Sequence, residues 1–488
     1  MIKSKKLRVA LMGVGAVAAM AAVLASCGGA DNVASPGEGV IIGGPGGSSS
    51  SSSSSSSSAP DTCPTGTLNG GLVAGLRNCQ LPNLITGTLS LDKVPGVVYS
   101  INGRVQVGDD LGANPSAPLA GAKGVLNIAP GVKLFGSAGL DYLIVSRGSQ
   151  IFATGSATDP IIFTSKADIE GTTNDNSIGQ WGGLVIAGRA PTNVCPAGVT
   201  PPNVACSEGQ VEGTNAFYGG NTANDNSGIL KYVRVQHSGF EVLPAKELNG
   251  ITFAGVGSGT TVEYVQVHNS SDDGMEMFGG TVNLKRIILT GNDDDSLDTD
   301  NGYRGTIQFL IVKQRETGGD RLFEMSCAGN SAFCSHPVIS NATLIRRSSV
   351  ASNGLELNTG TDLTLINSVI HNTSSTTTTG IRVADAATNT AAPGFQSVFM
   401  SGFTTPFATV SGNTWAQTLF TAGSNNTSAG TTSLADFVNG TNEAGVVATN
   451  ATTVNANFTN VNYIGAVKDS ADTWWSGWSC SLNGVSCR

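Results

Sequence analysis

A short β-branched run recurs along this chain at intervals too long for a hairpin and too short for a domain. Tyr232-Val233-Arg234-Val235-Gln236 returns as Tyr264-Val265-Gln266-Val267-His268, 32 positions later. Arg286-Ile287-Ile288-Leu289 follows 22 positions on, and Phe309-Leu310-Ile311-Val312 a further 23. Thr343-Leu344-Ile345 and Leu363-Thr364-Leu365-Ile366 continue the series. A unit of this size cannot bury its own apolar face, so it must stack on copies of itself. The runs are short, turn residues separate them and helix formers are few. The pattern predicts an all-β fold, a right-handed parallel β-helix (solenoid) with three strands per coil and coils about 4.8 Å apart. At roughly 24 residues per coil the body holds about 13–14 coils. A β-propeller or sandwich is the competing architecture. The turns are too irregular for blades, and the His and Trp-Asp marks of propellers are missing. Asparagine and serine at the turns read as ladder formers.

The two ends read differently from the body. Residues 1–26 have a basic start (Lys3, Lys5, Lys6, Arg8), an apolar stretch from Val9 to Leu24, then Leu24-Ala25-Ser26-Cys27. The apolar stretch is too short and too weakly hydrophobic for a membrane span and reads as a lipoprotein signal peptide. Cys27 is then the lipid-modified first residue of the mature chain, and two or more acyl chains make a stable anchor. A plain signal peptide is the alternative. Residues 27–59 form a Gly/Ser-rich disordered tether ending in the serine run 48–58. As a random coil it spans roughly 30 Å. Residues 60–395 are the β-helix body, and 396–488 the final rungs and a Trp-rich C-terminal cap, with four of the five tryptophans. The cap is expected to shield the last coil's edge. A Trp-lined glycan platform is the sharper reading of the same residues.

Four of the 26 basic residues lie in the leader, which leaves 22 against 35 acids, a mature balance of −13. That excludes nucleic acid as a partner and argues against direct docking on anionic lipid. Eight cysteines remain beyond Cys27. They fall as near neighbours: Cys63 and Cys79, Cys195 and Cys206, Cys327 and Cys334, Cys480 and Cys487. An even set in an exported chain implies disulfides, and sequence-local pairing is the simplest framework. With four histidines in the chain and none at ligand spacing from cysteine, a zinc site is not expected.

Several phrases carry a family resemblance. They include Gly179-Gln180-Trp181-Gly182-Gly183-Leu184-Val185-Ile186, Val211-Glu212-Gly213, Tyr218-Gly219-Gly220, Glu247-Leu248-Asn249-Gly250 and Phe278-Gly279-Gly280. Asn226-Ser227-Gly228-Ile229-Leu230-Lys231-Tyr232, Val256-Gly257-Ser258-Gly259 and Ser271-Asp272-Asp273-Gly274 join them, with Tyr463-Ile464-Gly465-Ala466 and Trp474-Trp475-Ser476-Gly477-Trp478 at the end. Together these resemble a family of exported β-helix lipoproteins of Gram-negative bacteria, over about residues 85 to 480. The resemblance implies outer-membrane placement, on the cell surface or the periplasmic face, often beside TonB-dependent receptors. It brings no catalytic residues. A looser likeness is to pectin-lyase-like folds, at the level of architecture only, and fold does not supply a reaction.

One acidic edge could carry chemistry. Asp272 and Asp273 precede one run. Asp293, Asp294 and Asp295 come about 22 residues later, with Asp298 and Asp300 close behind, and Asp320, Arg321 and Glu324 follow one coil on. Stacked in a β-helix, these carboxylates repel and need compensation. A Ca²⁺ ion, which takes six to eight oxygens, is the cofactor candidate, with Asp272, Asp273, Asp293, Asp294, Asp295, Asp298 and Asp300 as ligands. Arg304, Lys313, Arg315 and Arg321, with Asp320 and Glu324, are the ligand-binding candidates. A structural acid–base network is the plainer reading. A lyase would need Ca²⁺ and a base, for which Lys313 or Arg315 could serve. A glycosidase would need two carboxylates at a defined separation. His237 and His268 share one repeat position and are read as facing solvent or a turn partner. No residue is assigned a catalytic role.

The expected function is a lipid-anchored scaffold that captures an extracellular ligand or docks on a TonB-dependent transporter. The alternative is a polysaccharide lyase or glycosidase using the Asp272–Glu324 edge. An adhesin or matrix component is a third reading.

Overall fold

The computed structural model describes residues 59–243, 246–376 and 378–487. The leader, Cys27 and the serine run lie outside the described residues.

The repeating runs form a parallel β-helix. One face is an eleven-stranded sheet in strict chain order, from Leu84–Ile85 through Tyr142–Val145, Ile251–Ala254, Met275–Phe278, Leu297–Asp300, Phe323–Met325 and Leu355–Leu357 to Thr405–Phe407. The other two faces share long strands that bend once. In the third coil the halves are still separate: Gln150–Thr154 pairs with the first half of Gly228–Gln236, and Ile161–Ser165 with the second. From Gly228–Gln236 onward each pair is fused into one strand of eight or nine residues, repeated at Thr261–His268, Asn283–Thr290, Thr306–Lys313, Val338–Arg346, Thr364–Asn372 and Gly394–Ser401.

The bend has one cause throughout. Tyr232, Tyr264, Arg286, Phe309, Asn341, Asn367 and Ser397 occupy the same register position, and every one is left-handed, with φ between 49° and 60°. A single left-handed residue turns the strand from one face to the next. Side chains on either side of it follow the strand period of two. One inward column runs Phe163, Val235, Val267, Leu289, Val312, Leu344, Ile370, Met400, all in register and all fully buried. Each such side chain contributes about 1.5–3 kcal/mol by leaving water.

The coils are fewer and longer than the expected thirteen or fourteen, because two turns carry insertions. Residues 166–182 hold a short helix, Lys166–Ile169, and the buried Trp181. Residues 188–227 hold the Cys195–Cys206 disulfide and a small hairpin, and fold back over the eleven-stranded sheet. There Val211, Ala216 and Tyr218 pack on Ile144, Val185, Ala254 and Phe278. All four expected disulfides are formed.

The C-terminal segment differs from a simple end cap. The last coil is closed by the helix Trp415–Ala422, whose Phe420 meets Phe395 and Phe407 at 5.6 and 5.1 Å. Residues 431–487, with the other three C-terminal tryptophans, form a strap along the flank of the bent strands. Ser397 Oγ donates to Val447 O, Gln308 and Thr459 exchange two bonds, Asn341 donates to Tyr463 O, and Gln266 and Cys480 exchange two more. The physical reason lies in the strands. Ile288 and Ile311 alternate with inward residues and so point outward, yet both are apolar. The strap covers them with Phe437, Ala466, Val467, Trp478 and Leu482. Trp474, Trp475 and Trp478 donate their indole N–H groups to Ala466, Asp472 and Trp474 carbonyls within the strap. The arrangement is packing, and it does not lay the rings out as a glycan platform.

Candidate functional site

The acidic edge lies on the outer side of the eleven-stranded sheet. Register places Thr252, Glu276, Asp298, Glu324, Glu356 and Arg382 in one column, each on the next coil. Three residues before Glu276, Asp298 and Glu324 in their own coils, at the turn into the strand, the series Asp273, Asp295, Arg321 forms a second column. Its members are joined by a ladder: Asp295 N donates to Asp273 Oδ1 at 3.1 Å, and Arg321 N to Asp295 Oδ1 at 2.7 Å. The turn conformation therefore uses carboxylates as fixed acceptors between coils.

Four overlapping carboxylate triplets result, each with one oxygen per residue within 4.8 Å of the others: Asp272–Asp273–Asp294, Asp273–Glu276–Asp298, Asp294–Asp295–Asp320 and Asp295–Asp298–Glu324. Asp273, Glu276, Asp295 and Asp298 expose only 6, 3, 2 and 2 % of their surface, so water does little to screen them. Burial pushes the Asp273 carboxyl well above the usual carboxylate range, and Asp272, Asp298 and Glu276 push it further. Asp295 is raised the same way by burial, then by Asp294 and Glu324, with Arg321 pulling in the opposite direction.

Two guanidinium groups offset part of this charge. Arg321 reaches Glu324 at 2.9 Å, Asp320 at 3.0 Å and Asp295 at 3.4 Å. Burial pulls its pKa down, but these acids together hold it above its ordinary value. Arg382 pairs with Glu356, whose carboxyl burial raises and Arg382 lowers. Asn249 donates to Glu276 at 2.7 Å and Asn353 to Glu356 at 2.8 Å. The balance is acidic at the Asp273–Glu276–Asp298 end and nearer neutral towards Arg382. Carboxylates held this close and this dry can take up a hard cation through oxygen, or hold protons.

The expected residues divide. Asp272, Asp273, Asp294, Asp295, Asp298, Asp320, Arg321 and Glu324 come together. Asp293 does not join the triplets, and stands 3.6 Å from Arg315. Asp300 sits at the far end of its strand, where it accepts from Ser326 Oγ and Ala328 N as a turn anchor. Its side chain is two residues from Asp298 and shares its face, but is one strand repeat further along. Lys313 and Arg315 are not placed to act as a base on the row. Lys313 pairs with Asp436 of the strap at 2.8 Å, and Arg315 is held by Asp293 and Asn176. Arg304 lies over the Phe333 ring, 4.3 Å from its centroid, in a separate groove.

Sequence reasoning missed Glu276, Glu356, Arg382 and Asn249. Strand parity could have found Glu276, the outward residue between the inward Met275 and Met277. His237 and His268 do not share a register position, because His268 pairs with Gln236, and neither faces solvent. His237 and His268 are both buried. His237 Nδ1 lies 2.7 Å from Ser177 O, a turn partner, and His268 Nδ1 lies 2.9 Å from Thr290 Oγ1. Burial, then His237 and Arg234, push the His268 pKa down to about 3, so it is neutral.

A family model described as a pectate-lyase like beta helix domain matches residues 115–479. That is more than half of the chain, and the chain belongs to this family. No curated protein matches the chain, and no solved structure matches it.

Proposed function

We propose that this member of the pectate-lyase-like β-helix family is a binding scaffold and not a polysaccharide-degrading enzyme, with Ca²⁺ held along its acidic row. The observation that carries this reading is the burial of the row. Asp273, Glu276, Asp295 and Asp298 are almost fully covered, so a sugar polymer has little access to them, whereas a single ion needs only oxygen ligands. The carboxylate triplets Asp273–Glu276–Asp298 and Asp295–Asp298–Glu324 are the sites to which the ion is assigned. An ion there would relieve the mutual repulsion and tie three successive coils together.

The scaffold is assigned to the outer membrane through a lipid on Cys27, with a TonB-dependent transporter or an extended extracellular ligand as partner. This placement rests on the leader sequence and on the resemblance to exported lipoproteins. The enzyme reading has one specific observation in its favour: Asp273 and Asp295 have raised pKa values, as a general acid requires.

The tests separate these claims. Calcium titrated into EDTA-treated protein should release heat and raise the melting temperature. A flat titration with unchanged melting ends the calcium assignment. The tagged full-length lipoprotein, pulled down from solubilised outer membrane, should bring a transporter with it, and recovery of none counts against docking. Polysaccharide turnover that disappears in Asp294→Ala would replace the scaffold with an enzyme.

A further inference from the structure

A second site lies where the eleven-stranded sheet turns into the next coil. An open groove of about 670 Å³ crosses four successive turns. Arg304 stands at one end and the helix Ala386–Ala391 at the other, with His336 and Asp362 between them. Three coil intervals separate the ends, about 14 Å.

The two ends differ in chemistry. Arg304 is held flat over Phe333 at 4.3 Å, and its Nε donates to Cys334 O at 3.1 Å. Among the described residues none accepts a hydrogen bond from its two Nη groups, and the Asp362 carboxylate, which His336 engages, acts on it through charge alone, so the outer fork of the guanidinium is left to bond a ligand. His336 Nδ1 lies 2.9 Å from Asp362 Oδ2, which leaves Nε2 as the ring's remaining polar atom. The other end is apolar. Ala387 and Ala391 line it, and the Thr390 hydroxyl is spent on Ala386 O at 2.8 Å. The Thr359 hydroxyl between the ends is likewise used, by Cys327 N at 2.7 Å. At Gly360, with φ +92°, a Cβ would come within 3.5 Å of Cys334 Sγ and 3.7 Å of Ala387 Cβ.

We propose that this groove binds a free carboxylate with an unbranched hydrocarbon tail, the carboxylate on the Arg304 fork and the tail along Ala387 and Ala391. A planar guanidinium matches a carboxylate through two parallel N–H donors. Alanine methyl groups offer an apolar wall without a polar partner that a tail would leave unsatisfied. The site is distinct from the acidic row and does not depend on calcium.

The probe is octanoate, titrated calorimetrically into the EDTA-treated protein, with octylamine as the control of opposite charge. Octanoate should bind saturably and octylamine should not. Arg304→Gln should weaken octanoate by roughly tenfold or more, the loss expected for a charge-assisted pair. Ala387→Trp should block the tail end and abolish binding. Both variants alter exposed positions, and melting curves like that of the unaltered protein would show that they fold. The proposal is overturned if octanoate gives no saturable heat, if octylamine binds equally well, or if folded Arg304→Gln binds octanoate unchanged.

Discussion

Asn367 and Thr449 exchange two hydrogen bonds across 82 residues of chain: Asn367 Nδ2 donates to Thr449 O at 2.9 Å, and Thr449 N donates to Asn367 Oδ1 at 2.7 Å. Asn367 is also a corner residue, with φ +49°. One residue therefore turns the coil with its backbone and holds the strap with its side chain.

The two roles separate by substitution. Asn367→Gly keeps the left-handed corner but loses both bonds, and should cost about 1–3 kcal/mol in urea unfolding. Asn367→Ala adds the strain of a left-handed alanine and should cost about 1 kcal/mol more. Hydrogen exchange at the Thr449 amide should speed up in both. Unchanged protection in the glycine variant would show that the strap is held elsewhere.

Trp478 is 1 % exposed and meets Tyr232 and Tyr264 edge-on, with ring centroids 6.0 and 5.9 Å away. Trp478→Ala should cost about 3–5 kcal/mol and remove much of the near-ultraviolet circular dichroism. A variant with native melting would mean that the strap contributes little to the stability of the coil.

The acidic row makes stability depend on pH in a particular direction. The folded-state pKa values of Asp273 and Asp295 lie above those of the unfolded chain. The folded protein then binds more protons than the unfolded between about pH 3.9 and the raised values. This contribution is fully present below that window and is lost as pH rises through it. Asp168 and Glu443 are shifted the other way, and their effect falls below about pH 4. In EDTA the melting temperature should therefore fall as pH rises from the ordinary carboxylate range through the raised values, and saturating Ca²⁺ should remove the fall. Asp273→Asn, which can still accept from Asp295 N, should be less sensitive to both. A melting temperature that climbs with pH in EDTA would contradict the burial argument.

The Cys480–Cys487 bridge closes a loop with sequence separation 7 at the strap's end. The double variant Cys480→Ser/Cys487→Ser should lose about 2–3 kcal/mol on the loop-entropy model. The loss should be local, freeing the amide of Cys480, which now donates to Gln266 Oε1 at 2.9 Å. Faster exchange spread evenly over the coil would show that strap and coil unfold as one.

The inward column from Val235 to Met400 was legible in the sequence, because aliphatic residues recur at strand period in every run. The Asp272–Glu324 edge was legible for the same reason, since its spacing of 22 and 26 residues matches the coils that carry it. Glu276 was open to strand parity but stands apart from the aspartate runs that mark the edge, and Glu356 was hidden by the insertion of residues that lengthens its turn. The corners could not be read from residue type. Asparagine at 341 and 367 suits a left-handed conformation, but Tyr232, Arg286 and Phe309 do not, and hold it because both flanking half-strands are fixed by pairing. The strap was beyond local pattern altogether. Its tryptophans marked a compact segment, but only the outward Ile288 and Ile311 say where it must lie.

A stack of coils that touch only their neighbours comes apart from its ends, like a zipper. The strap changes that. Gln236 Nε2 donates to Cys487 O at 3.1 Å across 251 residues, and Ser397 and Asn367 hold the same strap near its start. A load pulling on the C-terminus is therefore carried first by bonds near Gln236 and Gln266, in the interior of the stack. The last coil cannot be peeled until those bonds have sheared together, and the protein should resist force as a laced bundle in which many coils share the tension.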